Sequence, residues 1–208
     1  MNRVLQGRRV DEDGRKRYFD PRFGKTAVRV LPGEYYVTED ESEMIVTVLG
    51  SCISACIRDP LLKIGGMNHF MLPSSDTGQW GQVSAEMRYG NYAMEMLIND
   101  LMRRGARRDR LEFKLFGGAH IGTSSSDVGD KNIRFVRTYM RDEGFVSTAA
   151  DLGGEIPRRI HYFPETGTVK RLALKKLEGR VLRPQEEAYV KEIEVESTSG
   201  GGDIELFD

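Results

Sequence analysis

The segment from Gly33 to Leu72 constrains the fold most, because short apolar runs alternate there with turn residues. Residues 53–59 (ISACIRD) place apolar side chains at every second position, which is typical of a strand with two unlike faces. Gly50-Ser51 and Asp59-Pro60 separate the runs, as such pairs do at turns. Four β-strands are therefore predicted, at residues 34–38, 44–49, 53–59 and 63–72.

The rest of the chain adds helices and further strands. Apolar residues recur at helical spacing over residues 84–104 and 130–143, which predicts two amphipathic helices. A further strand is predicted at residues 110–116, and a hairpin at residues 158–163 and 168–174. This order of several strands, helix, strand, helix and hairpin predicts an α+β fold instead of a regular βαβ alternation.

Length and composition divide the 208 residues into one domain with two appendages. Residues 1–32 are rich in Arg, Asp and Gly and lack clear periodicity. They are predicted to form an N-terminal arm that is poorly ordered or wraps loosely over the domain. Residues 33–177 form the predicted domain. Residues 178–208 are predicted to be a charged tail that contains the Gly/Ser linker STSGGGD.

Charge and hydropathy exclude several classes of partner. The formal net charge is −1, from 31 Lys and Arg against 32 Asp and Glu, so no overall field attracts nucleic acid or an anionic membrane. No apolar stretch reaches the length of a membrane span, and the N-terminal residues lack the apolar core of a secretory signal. The chain is therefore predicted to be cytoplasmic, with no nucleic-acid partner and no membrane insertion.

The chain has two cysteines, Cys52 and Cys56. If their segment is a strand, they lie roughly 13 Å apart along it, whereas a disulfide requires Cα atoms within about 7 Å. Reduced thiols are therefore expected. The two cysteines and three scattered histidines also lack the ligand spacing of a zinc site, so no metal is expected.

Cys52 is the strongest candidate for chemistry, because it follows the Gly50-Ser51 turn, where a thiol can face a cleft. The backbone N–H groups of Gly50 and Ser51 are candidates to hold an oxyanion. His69 lies seventeen residues after Cys52 on an adjacent apolar segment and is the candidate base. Thr47, on the strand that leads into the turn, is the candidate to orient the imidazole. The alternative interpretation is that Cys52 and His69 are buried residues of the core.

Other polar residues are weaker candidates. Asn68 is less suited to orient an imidazole because it points to the opposite face, and Asp59 because it ends a strand. His120 sits in a Gly-rich loop, and His161 sits in a hairpin strand where packing alone accounts for it. Cys56 is predicted to be a packing thiol.

Four sequence blocks resemble the CheD family of chemoreceptor glutamine deamidases: TVLGSCISACIRDP, GGMNHFMLP, RYGNYAMEMLINDLMRRGA and LEFKLFGGAHI. The resemblance covers about residues 33–177, and the LGSC block followed by the NHFMLP block is its most specific part. It implies that Cys52 is the nucleophile, His69 the base and Thr47 the third member of a triad. It also implies a layered α/β sandwich with mostly antiparallel sheets and two main helices, related to deamidating toxins and more distantly to papain-like enzymes.

The resemblance further implies an activity. Such an enzyme deamidates glutamine side chains of methyl-accepting chemotaxis receptors to glutamate through a cysteine thioester and needs no cofactor. Some family members also hydrolyse receptor methyl esters, and a CheC-type phosphatase is an implied partner. Two alternatives remain open. One is a non-catalytic docking module that binds a receptor or a CheC-type phosphatase, and the other is a redox sensor that joins Cys52 to Cys56 in a reversible disulfide.

Overall fold

The structure, a computed structural model, describes residues 9–10, 14–72, 79–80, 83–120 and 128–174. The tail predicted at residues 178–208 lies outside the described residues. Within these ranges there are thirteen strands: β1 Arg9–Val10, β2 Lys16–Asp20, β3 Lys25–Arg29, β4 Tyr35–Thr38, β5 Glu43–Leu49, β6 Ile53–Asp59, β7 Ile64–Asn68, β8 Gln79–Trp80, β9 Val83–Ser84, β10 Glu112–Gly117, β11 Ser147–Leu152, β12 Arg158–Phe163 and β13 Thr168–Ala173. The helices of the described ranges are α1 Ala85–Arg103, α2 Val128–Asp142 and a short 3₁₀ helix at Arg108–Arg110.

Most strands belong to two mixed sheets. The first contains six strands in the order β1-β2-β3-β5-β12-β13, the second contains five in the order β11-β10-β6-β7-β4, and β8 pairs with β9. Each large sheet has one parallel pair, β3 with β5 and β10 with β11, and the other described pairs are antiparallel. The predicted α+β class, with two main helices and mostly antiparallel sheets, is therefore confirmed. In the described part of the chain, neither long helix is apolar enough to cross a membrane.

The five-stranded sheet lies between the helices and the six-stranded sheet. On one of its faces, Ile53 of β6 packs in an apolar cluster with Leu97 of α1 and Val136 of α2. On its other face, Cys56 of β6 belongs to a cluster that includes Ile160 of β12 in the six-stranded sheet. The alternation of β6 thus reflects burial against helices on one face and against a second sheet on the other. The relationship to deamidating toxins and papain-like enzymes stays a prediction.

The secondary-structure prediction missed six strands: the two-residue strands β1, β8 and β9, and the longer strands β2, β3 and β11. β2 and β3 lie in the region predicted as an N-terminal arm, yet β3 pairs with β5, and both Ala27 and Val28 are fully buried. Charged residues flank these two apolar positions in KTAVR, so the apolar signal is short. β11 lies at a sheet edge, and its sequence STAADL lacks the large apolar residues that mark a strand. The domain boundaries at 32/33 and 177/178 stay predictions.

Close packing of α1 against β7 explains the glycine at position 66. A Cβ atom on Gly66 would lie 2.6 Å from a side-chain carbon of Leu97 and 2.6 Å from the carbonyl oxygen of Tyr36. Only a residue without a side chain fits between these two neighbours. Gly66 therefore allows α1 to pack closely against the strand that leads to His69.

Candidate active site

The turn at Gly50-Ser51 carries the chain from one large sheet to the other. Strand β5 of the six-stranded sheet ends at Leu49, and β6 of the five-stranded sheet begins at Ile53. Cys52 is the last residue of this connection and packs with Leu49 and Met71 in the cluster between the two sheets. The predicted nucleophile therefore lies where the two sheets meet at a shared turn.

Strand pairing brings His69 onto the same face as Cys52. Ile53 and Phe70 exchange two backbone hydrogen bonds, of 2.8 and 2.9 Å, and their side chains pack in the cluster that faces the helices. Cys52 and His69 directly precede these two residues, so they share the opposite face as diagonal neighbours across the pair. Diagonal neighbours of this kind lie roughly 7–8 Å apart and remain within reach of long side chains. The structure thus brings the predicted nucleophile and base together.

Thr47 fixes which nitrogen of the His69 ring carries a proton. Its hydroxyl oxygen lies 2.8 Å from His69 Nδ1 and 2.8 Å from the carbonyl oxygen of Val30. A carbonyl oxygen only accepts hydrogen bonds, and a threonine hydroxyl has one proton to donate. The Thr47 hydroxyl therefore donates to Val30, and His69 Nδ1–H donates to Thr47. The ring then presents Nε2 as an unprotonated nitrogen with a lone pair.

Burial keeps the His69 ring uncharged. Desolvation lowers the pKa of His69 to about 3; a hydrogen bond with the Val30 carbonyl acts in the opposite direction, and the charge of Arg29 acts in the same direction as burial. Nε2 is buried and has no hydrogen-bond partner among the described residues. At neutral pH, His69 is therefore a neutral base whose lone pair can take a proton.

A turn before β4 holds the main chain of His69. The N–H of Gly33 donates to the His69 carbonyl over 2.8 Å, and the N–H of His69 donates to the Glu34 carbonyl over 2.9 Å. Together with the carbonyl of Val30, this turn fixes both the ring and the backbone of the base. Sequence reasoning missed Val30, because its segment was assigned to a peripheral arm and a backbone carbonyl leaves no signature in the side-chain pattern.

The turn that carries Cys52 is supported through its carbonyl groups. The Gly50 carbonyl accepts from the N–H of Ala119 over 2.7 Å, and the Cys52 carbonyl accepts from the N–H of Gly118 over 2.8 Å. The C=O and N–H of a planar trans peptide point in opposite directions. The N–H of Ser51, which belongs to the same peptide as the Gly50 carbonyl, is therefore directed away from Ala119. Oxyanion binding by Gly50 and Ser51 stays a prediction.

Gly117 allows this support to come close to Cys52. A Cβ atom on Gly117 would overlap the carbonyl oxygen of Cys52, and its φ of +117° lies in a region that favours glycine. The segment FGGAH therefore carries its glycines because it packs against the Cys52 turn. Sequence reasoning described this segment only as a Gly-rich loop and missed its contact with the site.

Asn132 of α2 is a second residue that sequence reasoning missed. It is completely buried, and its side-chain amide donates to the carbonyl of Ser51 over 2.9 Å. Phe135 and Val136 on the same helix are also buried. The available signal in the sequence was a polar residue among the apolar residues that form the buried face of the helix. Such a residue does not by itself indicate what its side chain contacts.

The chain is similar to proteins of one family over most of its length. The family model described as CheD chemotactic sensory transduction matches residues 71–172. A protein of Rhodopseudomonas palustris (strain BisA53), named a probable chemoreceptor glutamine deamidase CheD, is 49% identical over 192 residues, which are 92% of this chain and 90% of the relative. A protein of the same name from Methylobacillus flagellatus is 47% identical over 193 residues, or 91% of this chain and 94% of the relative.

The chain belongs to the CheD family. A third relative, from Hahella chejuensis, is 49% identical over 185 residues, which are 88% of this chain and 86% of the relative. The resemblance inferred from the LGSC and NHFMLP blocks is therefore confirmed. The individual roles of Cys52, His69 and Thr47 stay predictions that rest on the geometry described above.

Asn68 and Asp59, the two other polar residues considered in the CheD sequence, have structural partners. Asn68 accepts a hydrogen bond from the N–H of Ala55 over 2.8 Å and donates to the carbonyl of Ala93 over 3.0 Å, so it links the sheet to α1. Asp59 accepts hydrogen bonds from the Arg110 guanidinium at 2.8 and 2.5 Å. Burial acts to raise the pKa of Asp59, but these and several backbone hydrogen bonds outweigh it and lower the pKa to about 2. Both side chains stabilise the fold.

The other two histidines have contacts of a different kind. His161 packs its ring 5.3 Å from the ring of Phe23, while its neighbour Ile160 faces the five-stranded sheet. His161 therefore lies on the outer face of the six-stranded sheet, and burial is the main cause that lowers its pKa. His120 is about half exposed, and its Nε2 lies 3.3 Å from a carboxylate oxygen of Asp130. Ring packing and a surface contact account for these two side chains.

Cys56 shares a strand face with Cys52 but lies inside the sheet. It is opposite Met67 of β7 and Lys114 of β10, and it is buried. Burial raises the pKa of the Cys56 thiol, and the charge of Lys114 opposes this only partly. Both cysteines of the chain are described, and both are thiols. Cys56 is therefore a protonated packing residue.

The sequence prediction that Cys52 faces a cleft differs from the structure. Cys52 is 0% exposed and His69 is 3% exposed. Both side chains lie between two packed sheets, because the turn at Gly50-Ser51 draws the thiol inward against Met71. Both side chains are therefore closed off from solvent in this arrangement of the two sheets.

Proposed function

We propose that this member of the CheD family deamidates glutamine side chains of methyl-accepting chemoreceptors, with Cys52 as nucleophile and His69 as base. One observation carries the proposal: the hydrogen bonds from His69 through Thr47 to Val30 leave Nε2 as an unprotonated base on the face of Cys52. The names of the relatives, probable chemoreceptor glutamine deamidases, support the substrate.

The first step forms a covalent bond to sulfur. His69 Nε2 takes the proton of the Cys52 thiol while the sulfur attacks the carboxamide carbon of the glutamine. The C=O π electrons move to the oxygen, which gives a tetrahedral oxyanion. The N–H groups of Ser51 and Cys52 stabilise this oxyanion, while Gly50 contributes the carbonyl that fixes the turn.

The second step releases ammonia. The oxyanion re-forms its C=O bond, the C–N bond breaks, and the imidazolium of His69 gives its Nε2 proton to the departing nitrogen. A thioester with Cys52 remains. Water then gives a proton to His69 as its oxygen attacks the thioester carbon, the C–S bond breaks, and the imidazolium returns the proton to the sulfur. The net reaction consumes one water and yields glutamate and ammonia.

Thr47 serves both protonation states of the base. Because the pKa of His69 is about 3, the resting pair is a neutral imidazole and a thiol instead of an ion pair. The imidazolium forms only while the negative charge of the reacting group lies beside it. Nδ1–H donates to Thr47 before and after this proton transfer, so the ring does not rotate during the reaction.

The docking alternative is less favoured, because a module without catalysis has no need for an oriented imidazole beside a thiol. Hydrolysis of receptor methyl esters is compatible with the same thioester and stays a prediction. Binding to a CheC-type phosphatase and a cytoplasmic location also stay predictions. A redox sensor is disfavoured by the separation of Cys52 and Cys56 along β6, which exceeds the reach of a disulfide.

Mass spectrometry of a receptor fragment tests the proposal. The cytoplasmic part of a methyl-accepting receptor is incubated with the wild-type protein, and glutamines converted to glutamate are mapped while ammonia is measured. Cys52→Ala is expected to lose at least about 10⁴-fold in rate, since removal of a nucleophile eliminates the covalent route. Cys56→Ala is the matched control and is expected to stay within about twofold, because Cys56 is a packing thiol. Equal ammonia release by wild type and Cys52→Ala would disprove the role of Cys52.

A further inference from the structure

Asn132 connects both halves of the site from a third element. Its side-chain Nδ2 donates to the carbonyl of Ser51 over 2.9 Å, and its Oδ1 accepts from the N–H of Leu72 over 2.9 Å. Because a carbonyl only accepts and an N–H only donates, these partners fix the orientation of the amide. Ser51 directly precedes Cys52, and Leu72 follows His69 by three residues. One side chain of α2 thus binds the segment of the nucleophile and the segment of the base.

The contact with Ser51 determines the orientation of one peptide group. The Ser51 carbonyl and the Cys52 N–H belong to the same planar unit and point in opposite directions. When Asn132 holds the carbonyl toward α2, the N–H of the nucleophile is directed to the other side of the turn. In thiol and serine acyl transfer, backbone N–H groups of this kind stabilise the oxyanion only when their direction is fixed before the reaction.

We propose that Asn132 is a positioning residue for deamidation, which sets the direction of the Cys52 N–H so that it stabilises the oxyanion; this inference rests on the function proposed above. Asn132 acts through the Ser51–Cys52 peptide and not on the substrate itself. Its second hydrogen bond, accepted from the N–H of Leu72, holds this peptide at a fixed position relative to the segment that contains His69.

A purely structural role for Asn132 predicts different behaviour. The neighbours Phe135, Val136 and Met140 already anchor α2 in the cluster against the five-stranded sheet, without any polar contact. Docking of the helix therefore does not depend on the amide. A structural residue lowers stability and activity together, whereas a residue that orients an oxyanion donor lowers kcat while KM and helix docking are preserved.

The test compares Asn132→Leu with Val136→Ala in the full-length protein. Asn132→Leu keeps a similar volume and removes both hydrogen bonds, and Val136→Ala weakens the same helix one turn away without touching the turn of Cys52. With a receptor fragment as substrate, Asn132→Leu is expected to lower kcat about 10- to 100-fold with KM within about threefold, since loss of an oxyanion donor costs about 10²–10³-fold. Val136→Ala is expected to keep kcat within about twofold, although its melting temperature falls.

A second variant and a second measurement keep the test decisive. Asn132→Asp retains an oxygen to accept from Leu72, and only its protonated form can donate to Ser51. Because burial raises the pKa of a carboxyl group, the variant is assayed as a function of pH, and its kcat is expected to fall as the carboxyl group loses this proton. Alkylation of Cys52 by iodoacetamide forms no oxyanion, so it is expected to be no slower in either variant than in the wild type, even where kcat falls. The inference is overturned if the folded Asn132 variants keep wild-type kcat, or if kcat falls only in proportion to folded protein. If Cys52→Ala remains active as well, the proposed function itself has failed.

Discussion

Cys56 lies in β6 and Cys52 directly precedes that strand; the two thiols face the same side of the sheet, four residues apart, and both are buried. Only Cys52 sits at the end of the sheet, beside a turn whose carbonyl groups are held by Gly118 and Ala119. Cys56 lies inside the ladder between β7 and β10. The two thiols therefore share their degree of burial and differ in what surrounds them.

This difference shows that burial alone does not decide whether a thiol reacts. Cys52 has a neutral imidazole as its diagonal neighbour and a backbone with fixed peptide directions. Cys56 is opposite Met67 and Lys114, and burial keeps its thiol protonated by raising the pKa. The difference arises from the order of the Gly50-Ser51 turn, β6 and β7 along the chain. This order places Cys52 near His69 and Cys56 in the core.

Thiol labelling tests directly whether Cys52 and Cys56 differ in their accessibility to a reagent. Cys56 lies in β6, the central strand of its sheet, so it is expected to become accessible only on global unfolding. Cys52 precedes that strand and is expected to become accessible through local opening of its turn. In native buffer, iodoacetamide is expected to modify Cys52 at least about 10³-fold faster than Cys56, because global unfolding of a domain costs several kcal/mol.

Peptide mapping of the alkylated protein over time gives both rates in one experiment. Unfolded protein in urea serves as the control, in which the two cysteines are expected to react at similar rates. If the two native rates are equal and both follow the denaturant dependence of global unfolding, Cys52 is reached only by unfolding. That result would exclude the proposed enzyme.

Substitution of Thr47 tests whether the orientation of the His69 ring matters for the reaction of Cys52. Thr47→Val keeps the shape of the side chain and removes the oxygen that accepts from His69 Nδ1, so the ring loses its fixed tautomer. We expect kcat to fall about 100-fold, in the range that a well-placed general base contributes. Thr47→Ser retains the hydroxyl and is expected to stay within about fivefold of wild type.

Nitrogen NMR of labelled histidine checks the physical reason for this loss. In the wild type, His69 is expected to be protonated on Nδ1 and unprotonated on Nε2. In Thr47→Val, the proton is expected to distribute over both nitrogens. A wild-type spectrum with the proton on Nε2 would contradict the hydrogen-bond direction from His69 through Thr47 to Val30.

The comparison also shows which parts of the site a sequence can predict. The strands β5, β6 and β7 were predicted because turn pairs interrupt their apolar runs, and their adjacency in sequence placed Cys52 near His69. The edge strand β11 was missed because its residues are small and exposed. β2 was missed because charged residues dominate its sequence KRYFD, and β3 because its apolar signal spans two positions.

The backbone and side-chain contacts that hold the Cys52 and His69 segments were not predictable in the same way. The carbonyl of Val30 and the N–H groups of Gly118 and Ala119 act through the backbone, which every residue possesses. Asn132 approaches the turn from a helix about 80 residues later, through contacts that no local pattern contains. The burial of Cys52 depends on how the two sheets close over the turn, which is a property of tertiary packing.

The smallest expected effect concerns the charge of His69, which burial keeps neutral just as it keeps Cys56 protonated. In the folded protein the pKa of His69 is about 3, so its ring stays neutral above that pH. A histidine in the unfolded chain binds a proton below about pH 6.5. Between these values the unfolded state holds more protons, so the free energy of unfolding decreases as the pH is lowered. His69 is expected to contribute up to about 1.4 kcal/mol per pH unit to this decrease.

Urea unfolding at pH 7, 6 and 5, for wild type and His69→Gln, isolates that contribution. All other ionisable groups are the same in the two proteins, so only the difference between the two pH slopes reports His69. The wild type is expected to lose stability more steeply below pH 6.5, and His69→Gln is expected to lack this part of the slope. Equal slopes would mean that His69 accepts a proton in the folded state as easily as in the unfolded chain. The resting site would then hold a charged imidazole beside Cys52. The difference in reactivity between Cys52 and Cys56 would in that case arise from an ion pair between the Cys52 thiolate and the His69 imidazolium instead of from a neutral base.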